Sequence, residues 1–144
     1  YARYKHAQAY CAVVAEVEVE RAVRVHRLVA AVDVGEVINP DGVINQTEGG
    51  IIQAASWTLK EQVRMAGDGI TSLDWQSYPI LKFSEVPEIH VELVASTERS
   101  LGIGECTVGP TVAAIGNAVA HALGVRIRDL PLTRERIMAA LLRT

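Results

Sequence analysis

Apolar and polar positions alternate along residues 10–20. Cys11, Val13, Ala15, Val17 and Val19 fall on one side, and Glu16, Glu18 and Glu20 close the other. A period of two predicts a half-buried β-strand whose glutamates face water. A second run, residues 23–33, follows the short Arg21-Ala22 gap, which predicts a hairpin. Arg27 breaks the alternation of this run, and a β-bulge there restores it. The far half of the run is continuously apolar and is expected to be buried on both faces. Asn39-Pro40-Asp41-Gly42 reads as a turn. A helix is expected over residues 43–65, with Ile44, Ile51, Ala55 and Leu59 on one face.

The other face of that helix is unusual. Gln46, Gly50 and Gln53 share a narrow stripe, with Gly49 beside it. Each glycine inside a helix costs about 1 kcal/mol relative to alanine. Another element or a ligand must therefore approach the backbone, and the pattern alone favours tight packing against another element.

Residues 70–88 carry Tyr78-Pro79 and Val86-Pro87 and read as an extended, irregular connection. Residues 88–95 alternate again, with Ile89, Val91 and Leu93 inward and His90 and Glu92 outward, which predicts a third strand. Residues 96–110 form a polar, glycine-rich loop. Pro110 suits the first turn of a helix whose stripe is Val112, Ile115, Val119 and Leu123, with Gly124 closing it. A last helix is expected from Thr133 as N-cap to about Leu142, with Glu135 in its first turn. The order ββαβαα predicts an α+β fold, a small and mostly antiparallel sheet with helices on one face. A three-stranded sheet of this kind keeps two edges and one bare face, so further sequence or another subunit is expected to cover it.

Composition narrows the functional classes. The 144 residues suit one domain. Aromatics are only 5%, net charge is −3 and no basic run occurs, which excludes nucleic acid as the expected partner. Cys11 and Cys106 lie outside any C-x-x-C pattern, so neither a zinc site nor a disulfide framework is expected, although one bridge stays open. His6, His26, His90 and His121 lack ligand spacing and read as surface or hydrogen-bonded histidines.

Glu105 is the ionisable residue with the most suggestive setting. It sits in Gly102-Ile103-Gly104-Glu105, just before a helix start, where flanking glycines let a ligand near the backbone. The helix dipole favours a carboxylate there whether or not it does chemistry. The pattern alone leaves both readings open and favours the purely structural one.

Several stretches in order resemble one family. Asp33-Val-Gly-Glu-Val-Ile-Asn-Pro-Asp-Gly42, Gln46-Thr-Glu-Gly-Gly-Ile-Ile-Gln53 and Gly104-Glu105 ahead of the helix bearing Gly116-Asn117-Ala118 resemble the C-terminal region of xanthine dehydrogenase/aldehyde oxidase-type large subunits. Ser56-Trp57-Thr58-Leu59-Lys60-Glu61 and Tyr78-Pro79-Ile80-Leu81-Lys82-Phe83 resemble the bacterial isoquinoline 1-oxidoreductase-like branch. The resemblance implies that residues 1–144 form one C-terminal part of a molybdopterin-binding domain. It implies hydroxylation of aldehydes or N-heterocycles with water-derived oxygen, Glu105 as general base, and Gln46, Gly49, Gly50 and Gly104 along the cofactor. No residue of the chain is expected to ligate the molybdenum. The implied cofactor is molybdenum-molybdopterin, expected in its cytosine dinucleotide form. The implied partners are the remainder of the large subunit, an iron–sulfur electron-transfer subunit and a small-molecule substrate. By itself a chain of this length is expected to hold no cofactor, to be inactive and to self-associate through exposed apolar surface. Two alternatives stay open at this point. One is a free-standing ββαβα protein-interaction module without catalysis, and the other is an anion-binding nest at residues 102–109.

Overall fold

The computed structural model describes residues 2–3 and 9–143. Its main sheet has four strands in the order β1-β2-β3-β6: β1 (Ala2–Arg3), β2 (Tyr10–Val19), β3 (Val23–Asp33) and β6 (Glu88–Leu93). The sheet thus gains a short edge strand, Ala2 and Arg3 pairing antiparallel with Cys11 and Tyr10. β2 and β3 pair antiparallel, whereas β6 runs parallel to β3.

The alternation read from β2 sets the sheet's two faces. Ala15 pairs with Leu28, Val13 with Ala30 and Cys11 with Val32 on the covered face. On the other, Glu16 opposes Arg27 and Glu18 opposes Arg24. The bulge falls one residue from its expected place: the register skips His26, so Val17 pairs with Val25. The extra residue turns Val25 and Leu28, three apart, to the same core. β3 is paired on both sides and its far half is at least half-buried on both faces, as its unbroken apolar run predicts.

Helices α1 (Pro40–Leu59), α2 (Val108–Leu123) and α3 (Arg134–Leu141) complete the fold. Ile51 and Ala55 of α1, Ile115 and Val119 of α2, and Leu132 before α3 close on Val25, Leu28 and Ala30. α1 begins before its expected start. Asn39 is its N-cap, its side-chain oxygen accepting from Gly42 N at 3.0 Å, and Pro40 opens the first turn. Asn-Pro serves a helix start as well as a turn, because proline's missing N–H costs nothing there. α1 also ends six residues early, at Leu59, where its apolar stripe runs out. Met65 instead enters a small hairpin of β4 (Met65–Ala66) and β5 (Gly69–Ile70), with Gly67 at φ +58°. The chain from 71 to 87 is irregular apart from one 3-10 turn at Phe83–Glu85 and is tied to α1 by Leu81 N donating to Ser56 Oγ. α2 ends at the left-handed Gly124, and α3 starts at Thr133, whose hydroxyl accepts from Arg136 N.

One glycine is imposed by the fold. Gly35 adopts φ +69°, and a Cβ there would overlap the carbonyl oxygen of Arg99. Gly35→Ala should therefore destabilise the protein by about 2 kcal/mol or more. Calorimetry should show a midpoint lowered by on the order of 5 °C. An unchanged midpoint would mean that the contact relaxes freely.

Candidate functional site

The path of β3 continues past Asp33. Val94 N donates to Val32 O at 2.9 Å, Leu101 N to Val34 O at 2.8 Å, and Glu36 N to Glu98 O at 2.8 Å. Ser100 Oγ donates to Glu36 O, and Ala9 N to Gly102 O. The loop that leads to Glu105 is thus strapped along the extension of β3. It then folds into a turn, Cys106 N donating to Ile103 O and Val108 N to Glu105 O, and runs directly into α2. This explains the pattern of exposure: Gly104 and Glu105 face outward, while Cys106 and Thr107 are each 1% exposed.

The N-terminal half of α1 lies beside this loop. A cavity of about 300 Å³ is lined by Gln46, Asn39, Val43, Val34, Leu101 and Ile103 among others. Gln46 and Gly49 are exposed, and Gly50 is buried. The two adjacent glycines have different reasons. A Cβ at Gly50 would overlap Thr107 Oγ1, so Gly50 makes room for another element of this chain. A Cβ at Gly49 would meet nothing within 4 Å, and the same holds at Gly104. Gly109 and Gly116 on α2 are open in the same way. Gln46 thus lines one cavity with Ile103, the residue before Gly104 and Glu105, at one end of the sheet, whereas Gly50 is buried against Thr107.

A larger cavity, about 610 Å³, lies at the other end, among His26, Lys60, Glu85, Val86, Leu132 and Arg134. The two ends are separated by the length of β2, roughly 30 Å. None of the candidate site residues lines the larger cavity, so its size does not make it the site.

Among the described residues, no group of three or more His, Cys, Asp or Glu is placed to hold a metal ion. His26 pairs with Glu18 at 3.0 Å and His90 with Glu92 at 3.4 Å, both near the surface. His6 lies outside the described residues. No described helix is long and apolar enough to cross a membrane.

Comparison with known proteins decides the family. A model described as "Molybdopterin cofactor-binding domain" matches residues 2–87. The chain belongs to that family. A nicotinate dehydrogenase polypeptide of Pseudomonas putida is 43% identical over 98% of this chain, which covers 13% of that protein. The beta chain of isoquinoline 1-oxidoreductase from Brevundimonas diminuta is 39% identical over 88% of the chain and 17% of its own length. Among solved structures, the aldehyde oxidoreductase of Desulfovibrio desulfuricans superposes with a TM-score of 0.83 at 26% identity, covering 92% of the chain and 15% of the enzyme. The expected membership of the xanthine dehydrogenase/aldehyde oxidase group is borne out, and so is the α+β fold. The chain spans less than one fifth of the length of these relatives.

Sequence reasoning does not reveal that Cys11 and Cys106 meet. Both are free and buried, and they share a small core with Ala9, Val32 and Val34. Hydrogen bonding between the two sulfurs lowers the Cys11 thiol and raises that of Cys106. No spacing rule could show a contact between residues 95 positions apart (106 − 11). Burial should make both thiols slow to react in the native protein. Alkylation followed by peptide mapping should label Cys11 and Cys106 only after unfolding. Rapid native labelling of either would show that this core opens readily.

Proposed function

We propose that this molybdopterin-binding chain forms one wall of the cofactor site of a hydroxylating oxidoreductase, with Glu105 as its general base. The supporting observation is the pair of open glycines, Gly49 and Gly104, beside Gln46 and Glu105. Gly49 weakens α1 by about 1 kcal/mol, and no described residue explains it. A flat group lying against that helix would explain it, and the residues present fit one. Gln46 would offer its side-chain amide for hydrogen bonding, and Gly49 and Gly104 would leave the backbone bare. Gly50 would take no part in contact.

When bound, the molybdopterin group supplies the oxidising centre at which a water-derived oxygen is added to substrate. Glu105 would take the proton from that oxygen as the bond to the substrate carbon forms, a role that calls for a carboxylate within hydrogen-bond reach. Its exposed place on a turn pinned at both ends suits that task. The relatives named for nicotinate and isoquinoline favour an N-heterocycle as substrate, and the one named for aldehydes keeps that class as the second choice. The same reading includes the dinucleotide form of the cofactor and electron transfer through an iron–sulfur subunit. Residues 1–144 would then be one part of a larger molybdopterin-binding domain. Large apolar side chains left in water, with Val14 70% exposed and Phe83 fully so, would be covered by the rest of that domain.

The test uses the full-length subunit with its electron-transfer partner. Glu105→Gln should keep its molybdenum content and lose turnover by about 10²-fold or more. Near-normal turnover would reduce Glu105 to an acid at a helix end. Gly49→Ala should leave the thermal midpoint unchanged or raise it, yet lower cofactor content. Full retention of cofactor would remove Gly49 from the wall.

A further inference from the structure

We infer that Thr107 is a positioning residue for Glu105, acting through its seat in the notch left by Gly50. The inference rests on the proposed role of Glu105.

Thr107 stands at the N-cap of α2, where a threonine hydroxyl ordinarily accepts from a backbone N–H of the first turn. This one does not. Its backbone is αR, with φ −87° and ψ −17°, and it makes no side-chain cap. Its hydroxyl is instead directed at α1, so that a Cβ on residue 50 would overlap Oγ1 while lying 3.8 Å from Thr107 Cβ, an ordinary contact. Thr107 is 1% exposed, and its Oγ1 has no hydrogen-bond partner among the described residues. The side chain is therefore placed by shape and not by polarity. β-Branching leaves it few alternative rotamers.

The contact joins the two halves of the candidate site. Gly50 follows Gly49 directly and lies one helical turn beyond Gln46. Glu105 precedes Thr107 by two residues in a turn closed by Val108 N donating to Glu105 O, and Thr111 N donates to Thr107 O at 3.0 Å. Cys106, between them, is held in the core against Cys11. A displacement of Thr107 away from α1 has no slack to absorb it before Glu105. Thr107 seated on Gly50 thus sets how far the carboxylate stands from the Gln46–Gly49 surface.

Four variants of the full-length, partnered subunit test this: Gly50→Ala, Thr107→Ala, their double, and Thr107→Val. Turnover is expressed per bound molybdenum, with KM and the thermal midpoint measured alongside. Gly50→Ala should lower kcat per molybdenum by about 10-fold or more, since small misplacements of catalytic groups cost up to about 10²-fold. KM should change less. The double variant should recover to near the Thr107→Ala value, because removal of Oγ1 leaves the new Cβ an ordinary neighbour. Thr107→Val, which keeps the shape and lacks the hydroxyl, should stay near wild type. Two results would overturn the inference. In one, Gly50→Ala lowers the midpoint while kcat per molybdenum stays at the wild-type value, which makes the contact merely structural. In the other, the double variant is as impaired as Gly50→Ala, which makes Gly50 and not Thr107 the source of the defect. Glu105→Gln in the same series separates the two claims. If it turns over normally, the base assignment fails, while recovery of the midpoint in the double variant still reports the Thr107–Gly50 contact itself.

Discussion

The backbone ladder at the far end of β3 is the constraint on which the rest depends. β3 is the only strand of the main sheet among the described residues that joins an antiparallel neighbour to a parallel one. Its extension through Val34 to Glu36 then holds the returning loop by two further backbone hydrogen bonds, Leu101 N to Val34 O and Glu36 N to Glu98 O. A parallel neighbour requires a long crossover, and α1 lies within that crossover. The same extension therefore launches α1 and receives the loop that carries Glu105. Gln46 and Glu105, 59 positions apart (105 − 46), come to one end of the sheet for this reason. Gly35 is the point where the two backbones pass too closely for any side chain.

Two kinds of glycine then divide the roles around that end. Gly35 and Gly50 are filled by this chain's own atoms, from Arg99 and Thr107. Gly49 and Gly104 are not filled at all. Packing inside a protein leaves few voids, so the first kind fixes the scaffold and the second leaves a bare surface above it. The opposite end of the sheet is different in character. There Glu16, Glu18, Arg24 and Arg27 face one another across the strands and His26 pairs with Glu18, which is the chemistry of a solvated face.

Much of the fold is legible where the signal is local. The alternation of β2 and β6, the bulge near Arg27, the Gly124 stop and the Thr133 cap each depend on a few neighbouring residues. The start of α1 reads as a turn because Asn39-Pro40-Asp41-Gly42 satisfies both structures, and only the helix that follows chooses between them. Its expected end lies too far along because helical periodicity gives no sign of the hairpin at Gly67, in which Met65 pairs with Ile70. The parallel pairing of β6 and the meeting of Cys11 with Cys106 are tertiary facts with no local signature. The site is legible in a different way. Periodicity singles out Gly49 and Gly50 together and leaves open whether packing or a ligand explains them; in the structure the two differ. The roles assigned to Glu105 and Gln46 come from resemblance, since a glutamate before a helix is stabilised by the dipole in any case.

The central claim is that a cofactor covers the Gln46–Gly49 surface and the Glu105 turn. Hydrogen–deuterium exchange on the full-length subunit, compared with and without molybdopterin cofactor, tests it most directly. Slower exchange on loading is expected over residues 46–53 and 102–108, with residues 20–26 and 59–62 at the far end of the sheet unchanged. Unchanged exchange over 46–53 and 102–108, or protection confined to the far end, would contradict the claim.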